Sequence, residues 1–276
     1  MNLNTVTAVK CPSSAGEIAE WRDGYAWLAG GTWLFSTPQI TTSTLIDIQS
    51  LQWPALESST AGLHIAATCT IAELDRFEAP PEWLAAPLLQ LCCRSLLMSF
   101  KIWNAATVGG NICMSLPAGA MISLAAALEG VYTLWPRDGK PRNVAAVDFV
   151  TGSHVNVMRP GELLRSIHLP ARALSKRFAF RRSSLTHLGR SAVLMIGTQS
   201  ADSFDLMLTV TAATNRPMQL YFDHMPTAVA LRQAIARGIS AADYFGDIHG
   251  SAAYKRHLTY YYAEQIRGEL QHGAAR

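Results

Sequence analysis

The sequence predicts a mixed fold of helices and strands, α/β or α+β, arranged as two domains. Three observations carry that expectation. Short apolar runs bounded by turn residues alternate with helix-start signals as far as Pro170. Hydrophobic residues make up 49% of the 276 and charged residues 16%, which supplies a large core and too little charge for a disordered chain. Beyond Pro170 a new set of strands is followed by two helical stretches, which places the start of a second domain near Ala171.

Taken in order, Ser14–Arg22 carries Ala15, Ile18, Ala19 and Trp21 and reads as a short helix. Tyr25–Ala29 reads as a buried strand ended by Gly30-Gly31-Thr32, and Leu45–Ile48 as a second strand. Leu63–Ala67 is a third. The Thr70 and Glu73 that follow form a capping box, the signature of a helix start. A longer helix is expected from Pro80-Pro81 to about Ser99, carried by Trp83, Leu84, Leu88, Leu91, Leu96 and Leu97. Gly109-Gly110 interrupts the chain ahead of an apolar helix at Met121–Leu128. Val131–Trp135 and Arg142–Val147 flank Arg137-Asp138-Gly139-Lys140, a hairpin pattern. The turn Arg159-Pro160-Gly161-Glu162 leads into a strand at Leu163–Leu169, closed by Pro170, with Glu162 read as a turn residue. In the second domain Phe178–Phe180 and Ser203–Val210 read as strands, Ala228–Arg237 and Ala252–Leu270 as helices.

Composition narrows the functional classes. Met1–Lys10 is polar and threonine-rich, unlike a secretory leader, and the five cysteines form no C-x-x-C pair. Reduced, buried thiols in a cytoplasmic protein are the expectation, with neither a zinc nor an iron–sulfur ligand set. Ala105–Leu128 holds no charged residue, yet its glycines, serines and proline favour a glycine turn feeding a buried helix over a membrane span. Residues 1–170 carry ten Lys/Arg against thirteen Asp/Glu (−3), whereas 171–276 carry thirteen against seven (+6). No aromatic interleaving accompanies the arginines, which argues against nucleic acid. The eight histidines show no metal-ligand spacing, and no serine sits in G-x-S-x-G. His64 and His168 are expected as packed or surface residues of strands.

Two glycine pairs remain as candidate chemistry: Gly30-Gly31-Thr32 and Gly109-Gly110-Asn111. Glycine tolerates φ > 0 and lacks Cβ, so such turns bring backbone N–H groups close to an anion. Two of them about eighty residues apart could grip the diphosphate of a dinucleotide between subdomains. A glycine pair after a strand is also a common tight turn. Neither has the G-x-G-x-x-G or P-loop layout, so Rossmann and P-loop readings fail.

The settings of these pairs resemble a known family. Trp27-Leu28-Ala29-Gly30-Gly31-Thr32-x-Leu34, followed by Leu45-Ile46-Asp47-Ile48, resembles the first flavin-binding segment of the FAD subunits of molybdopterin dehydrogenases, the family of the xanthine and carbon monoxide dehydrogenase medium subunits. Gly62–Leu74 resembles the next block. Thr107-Val108-Gly109-Gly110-Asn111-Ile112-Cys113 is similar to its second phosphate-binding loop. Further blocks follow in family order at Phe149–Gly152, Pro160–Leu164, Ile167–Pro170 and Gly250–Leu258.

The resemblance implies an α+β chain: a two-subdomain FAD-binding fold of the PCMH (vanillyl-alcohol-oxidase-like) type over residues 1–170, divided at about 55/56, and a smaller α+β domain over 171–276. It implies FAD held by Leu28, Ala29, Gly30, Gly31, Thr32, Trp33 and Leu34 on one side and Thr107, Val108, Gly109, Gly110 and Asn111 on the other. Leu97, Leu164 and Arg181 match further flavin-touching positions. Implied partners are a large molybdopterin subunit and a small [2Fe–2S] subunit, with electrons passing to this flavin and on to NAD or another acceptor. Catalytic residues and metal ligands are not expected in this chain.

The chain also departs from the family. Ala120 stands where many relatives carry an aspartate, and its loss removes a hydrogen bond worth about 1–3 kcal/mol if buried. Ile102-Trp103-Asn104 replaces Ile-Arg-Asn, and Arg181 replaces a common lysine. These departures keep two alternatives open: a flavin-free scaffold subunit, and a stand-alone flavoprotein oxidoreductase.

Overall fold

In the computed structural model the described residues are 3–18, 21–96, 98–136, 139–186 and 189–273. The chain opens with three short strands, β1 (Ala8–Lys10), β2 (Tyr25–Leu28) and β3 (Thr44–Asp47), paired in parallel in the order β1-β3-β2. Next come β4 (Leu56–Ser59) and β5 (Gly62–Ala66), then a helical stretch. That stretch contains α1 (Ile71–Asp75), α2 (Pro87–Arg94), α3 (Phe100–Trp103), α4 (Val108–Cys113) and α5 (Ala120–Ala127). The chain returns through β6 (Val131–Trp135), β7 (Arg142–Ala145), α6 (Ala146–Phe149), β8 (Val150–Gly152), β9 (Val155–Asn156) and β10 (Leu163–Pro170). Strands β4, β5, β10, β6 and β7 lie in that order in one antiparallel sheet.

After α7 (Ala171–Leu174), strands β11 (Arg177–Ser183), β12 (Val193–Gln199), β13 (Leu206–Thr211) and β14 (Met218–Phe222) form an antiparallel meander. Helices α8 (Ala228–Gly238) and α9 (Ala252–Gly273) complete the chain. Helix α9 lies on β11 and β12, where Gly197 allows a close approach. A Cβ at that glycine would stand 2.3 Å from Ile266 Cγ2.

Helix α5 is the hub. All eight of its residues are buried, as an apolar helix without a polar face must be. It packs between α2 and α4 on one side and β12 and β13 on the other. Ser123 and Thr211 share a buried hydrogen bond of 2.6 Å, and Gln219 Nε2 donates to the Ala126 carbonyl at 2.8 Å. The apolar span 105–128 is therefore a glycine-bearing turn of helix feeding a core helix. Among the described residues no helix is long and apolar enough to cross a membrane.

Several sequence expectations need correction. The helix expected at Ser14–Arg22 is a 3-10 turn at Ala15–Ile18, and residues 19–20 lie outside the described set. Strand β2 is half-buried along its length, because the small parallel sheet is covered only in part. The helix expected from Pro80 to Ser99 begins at Pro87, which sits at N1 where its missing N–H costs nothing, and ends at Arg94. Strands β1, β4, β12 and β14 escaped the pattern. The hairpin of β6 and β7 is as expected, although Arg137 and Asp138 in its turn lie outside the described residues. The capping box is present in full: Thr70 Oγ1 accepts from Glu73 N at 3.2 Å, and Glu73 Oε2 accepts from Thr70 N at 2.7 Å. All five cysteines are free; Cys69, Cys92 and Cys93 are buried and Cys11 is exposed. His64 and His168, in register across β5 and β10, stack with ring centroids 4.3 Å apart.

Glu162 is more than a turn residue. It is buried, takes Arg142 Nε at 2.8 Å and Nη2 at 2.7 Å, and accepts from Arg159 N at 2.7 Å. Its carbonyl accepts from Trp27 Nε1 at 2.9 Å, which ties β2 to the start of β10. The Arg142 guanidinium holds the Glu162 carboxyl below the usual carboxylate range against the opposing effect of burial, and Arg159 N–H assists. A carboxyl depressed by folding adds stability above its unfolded pKa of about 4.3, and that stability is lost as pH falls through the folded value. Glu162→Gln is expected to cost about 2 kcal/mol at neutral pH. Thermal melts of both proteins should converge as the buffer is taken into the acid range; a gap that widens there would contradict the assignment.

Candidate functional site

The first wall of the site is the turn that leaves β2. Gly31 adopts φ +67°, and Trp33 is helical at φ −85°, ψ −48°. Phe35 N donates to the Gly31 carbonyl at 2.8 Å and Ser36 N to the Trp33 carbonyl at 2.9 Å, which winds the turn into a short 3-10 helix. Among the described residues the N–H groups of Gly31, Thr32, Trp33 and Leu34 have no protein acceptor. A left-handed residue followed by helical ones with free N–H groups forms a concavity suited to an anion. Gly30 is required by approach rather than dihedral: a Cβ there would stand 1.6 Å from the Ala105 carbonyl oxygen.

The second wall is α4. Thr107 is its N-cap, accepting from Gly110 N at 3.0 Å. Val108 N donates to Cys69 O at 2.8 Å, Gly109 N to Ala67 O at 3.0 Å and Asn111 N to Thr107 O at 3.0 Å. Every N–H of the second glycine segment is thus consumed by the protein. The expectation of two equivalent amide turns is corrected: Gly109 and Gly110 occupy N2 and N3 of a capped helix, at negative φ. Gly109 serves packing, since a Cβ there would lie 2.7 Å from Ala67 O. Asn111 Oδ1 accepts from Met121 N at 3.1 Å, joining α4 to the start of α5 and leaving its amide hydrogens for the cavity.

Between these walls lies a cavity of about 360 Å³, bounded by Trp27 and residues 29–34 on one side and by Ile71 and selected residues between Met98 and Leu116 on the other. None of its lining residues is charged. Its donors are the first turn's N–H groups, the hydroxyls of Thr32 and Thr107, and the Asn111 amide; its walls are Trp27, Ile71, Met98, Ile102, Met114 and Leu116. The Arg190 guanidinium stands 5.9 Å from the Trp33 ring centroid, placing positive charge at the rim, and the His154 ring lies 6.2 Å from the same ring. Burial pushes the Cys113 thiol up to about 12, so it lines the cavity as a neutral group and meets Met158 Sδ at 3.8 Å. Among the described residues no cluster of three or more His, Cys, Asp or Glu could hold a metal ion.

Of the sequence-predicted residues, the cavity gathers Ala29, Gly30, Gly31, Thr32, Trp33, Leu34, Thr107, Gly110 and Asn111. Leu28 closes β2 behind the turn, and Val108 and Gly109 are buried behind α4. Leu164 is in the core of β10. The Arg181 guanidinium turns to α9, donating to Gln265 Oε1 at 2.8 Å and Glu269 Oε2 at 2.6 Å. Leu97 lies outside the described residues. Arg181→Ala should therefore leave flavin content unchanged and lower thermal stability slightly, about 1 kcal/mol at this part-exposed pair; a flavin-depleted variant would restore the arginine to the site. Cys113 and Met114, three and four residues after Gly110, were findable had 108–113 been read as helix. Trp27 follows from alternation with Ala29 along β2. Ala120 and Trp103 do not line the cavity: Ala120 is buried in α5, and Trp103 is half-buried with its Nε1 lacking a partner.

The cleft is uncharged, with free backbone donors on one wall and Thr107, Asn111 and apolar side chains on the other, a lining suited to an uncharged ring system carrying an anionic group. The family described as the FAD binding domain in molybdopterin dehydrogenase matches residues 5–172, and the chain belongs to that family. Its cofactor is accordingly FAD. The residues present fit that group, because the turn at Gly31–Leu34 holds unspent donors and Gly110 lines the cavity without a side chain. The chain is 32% identical over 102 residues to the carbon monoxide dehydrogenase medium chain of Afipia carboxidovorans, covering 37% of this chain and 35% of that one. It is 28% identical over 121 residues to xanthine dehydrogenase of Oryza sativa subsp. japonica, covering 40% of this chain and 8% of that protein. These matches span well under two thirds of either relative. Among solved structures, quinoline 2-oxidoreductase from Pseudomonas putida 86 superposes with a TM-score of 0.82 at 18% identity over 100% of both chains. Carbon monoxide dehydrogenase from Hydrogenophaga pseudoflava gives 0.80 at 19%, over 95% of this chain and 96% of that one. The likeness establishes the α+β fold of PCMH type expected from the sequence.

Proposed function

We propose that this chain is the flavin-carrying electron-transfer subunit of a heteromeric molybdenum hydroxylase in the cytoplasm. The observation that carries the reading is the uncharged cleft with unspent N–H donors at Gly31–Leu34, in a chain that belongs to an FAD-binding family. Bound FAD would accept electrons delivered by iron–sulfur clusters and release them to NAD or another acceptor. The chain's own residues would bind and orient it: the first turn's amides would hold the diphosphate, Thr107 and Asn111 would add hydrogen bonds, and Trp27, Ile71 and Met114 would exclude water. The lining holds no charged side chain and its thiol, Cys113, is kept neutral by burial, which supports electron passage over substrate transformation.

Three arrangements support the further parts of the reading. The parallel sheet, the five-stranded sheet and the meander fall at 8–47, 56–170 and 177–222, in line with subdomains of about 1–55 and 56–170 and a second domain over 171–276. A relative named as a medium chain supports a heteromeric assembly, in which we assign a molybdopterin subunit and a [2Fe–2S] subunit as the partners. Native purification with metal analysis tests this. Molybdenum and iron should co-elute with the flavin, and a chain that turns over substrate alone and holds FAD would overturn the assembly while leaving the cofactor assignment intact.

A further inference from the structure

A second groove, of about 830 Å³, runs between α8 and α9, away from the flavin cleft. Ala236 and Ala253 keep it open, one from each helix, and Tyr260 sits between two arginines. Arg232, on α8, holds its guanidinium 5.0 Å from the Tyr260 ring centroid, and Arg256, on α9, holds its own at 5.9 Å. Among the described residues neither guanidinium has a hydrogen bond or an ion pair with the protein. The other arginines around α9 are spent: Arg181 on Glu269, Arg177 on the Leu270 carbonyl, and Arg267 on Glu264. Arg267 also holds the Glu264 carboxyl below its ordinary range, so the groove's one carboxylate is neutralised from within its own helix.

Two unspent guanidiniums fixed over one aromatic ring are donors arranged before any partner arrives. Arginine and tyrosine are the residues that carry binding energy at protein interfaces, and Tyr261, 54% exposed, extends the surface. The surrounding segment, 171–276, bears thirteen Lys/Arg against seven Asp/Glu, a charge that complements an acidic partner and steers its approach. We propose that the α8–α9 groove docks an acidic segment of a partner protein, whose carboxylates pair with Arg232 and Arg256 across Tyr260. Bidentate guanidinium–carboxylate bonds would set the register, and Tyr261 would cover the segment's apolar atoms. The inference stands apart from the flavin reading, since none of these residues touches the flavin cleft.

A fluorescent oligoglutamate peptide, titrated into the full chain at low ionic strength and read by anisotropy, tests this. Wild type should bind it, and the double variant Arg232→Gln/Arg256→Gln should bind at least about tenfold more weakly with flavin content unchanged. Ala236→Trp, which fills the groove without changing charge, should weaken binding comparably. The control Lys140→Gln/Arg216→Gln removes two exposed charges away from α8 and α9 and should bind like wild type. Equal losses in both double variants would show general surface attraction and overturn the proposal. So would failure of wild type to bind, or stoichiometric displacement of the peptide by inorganic pyrophosphate, which would mark a small-anion pocket instead.

Discussion

Gly110→Val should empty the flavin site, weakening FAD at least about hundredfold, near 2.7 kcal/mol. Gly110 lines the cavity from the first turn of α4, and its missing side chain is part of the space available to a ligand. A Cβ there meets Thr107 Oγ1 at 2.9 Å, so the capping hydroxyl must shift, but no backbone atom stands in the way. The valine methyls would enter the cavity and press on the cap. Gly110→Ala is the graded control: it also gains helix propensity, about 1 kcal/mol relative to glycine, and should retain more flavin than the valine variant. Circular dichroism separates loss of cofactor from loss of fold. A well-folded Gly110→Val protein with full flavin content would remove α4 from the site.

Gly30→Ala should act on the fold itself. The added Cβ would sit 1.6 Å from the Ala105 carbonyl oxygen and 3.2 Å from Ala106 N, both backbone, so no side-chain rotation relieves it. The turn after β2 must then withdraw from the segment that leads into α4, opening the cleft. Overpacking against backbone costs about 3 kcal/mol or more. The expected result is a clear fall in thermal midpoint together with weakened FAD, measured by calorimetry and flavin fluorescence on the same preparation. Unchanged stability would show that the two walls are not pinned together at this point. The contrast between the two glycines matters: one is needed for empty space, the other for contact between chain segments.

Both glycine pairs were legible in the sequence, but only one of them for the right reason. Gly30-Gly31 follows an apolar strand, and Gly31 does take the left-handed conformation that such a turn requires. Gly109-Gly110 has the same composition but sits behind Thr107, whose side chain caps a helix. Two consecutive glycines are poor helix formers, so propensity argued for a turn; the cap, and bonds to Ala67 and Cys69 from a distant strand end, decided otherwise. Among the described residues, the amides of the two glycine segments left without protein acceptors therefore come from one wall, a distinction that long-range hydrogen bonds alone reveal.

The strands that escaped notice did so for different reasons. β4 reads Leu-Glu-Ser-Ser and carries no alternation of its own; pairing with β5 creates it. β12, buried on both faces between α5, α9 and its neighbours, is a continuous apolar run that periodicity cannot distinguish from a helix. By contrast α5, α9 and β10 were readable because length, apolarity and bounding prolines or glycines agreed. Arg181 was assigned by family position alone; its guanidinium is bonded to Gln265 and Glu269 on α9, partners that sequence spacing gives no means to anticipate.

The central claim is that the cleft between the Gly31–Leu34 turn and α4 holds one FAD. Titration of cofactor-free protein with FAD, followed by flavin fluorescence and checked by the cofactor released on denaturation, addresses it directly. The account predicts saturation at one FAD per chain, abolished by Gly110→Val and untouched by Arg181→Ala. A folded wild-type protein that takes up no flavin at any concentration would contradict it.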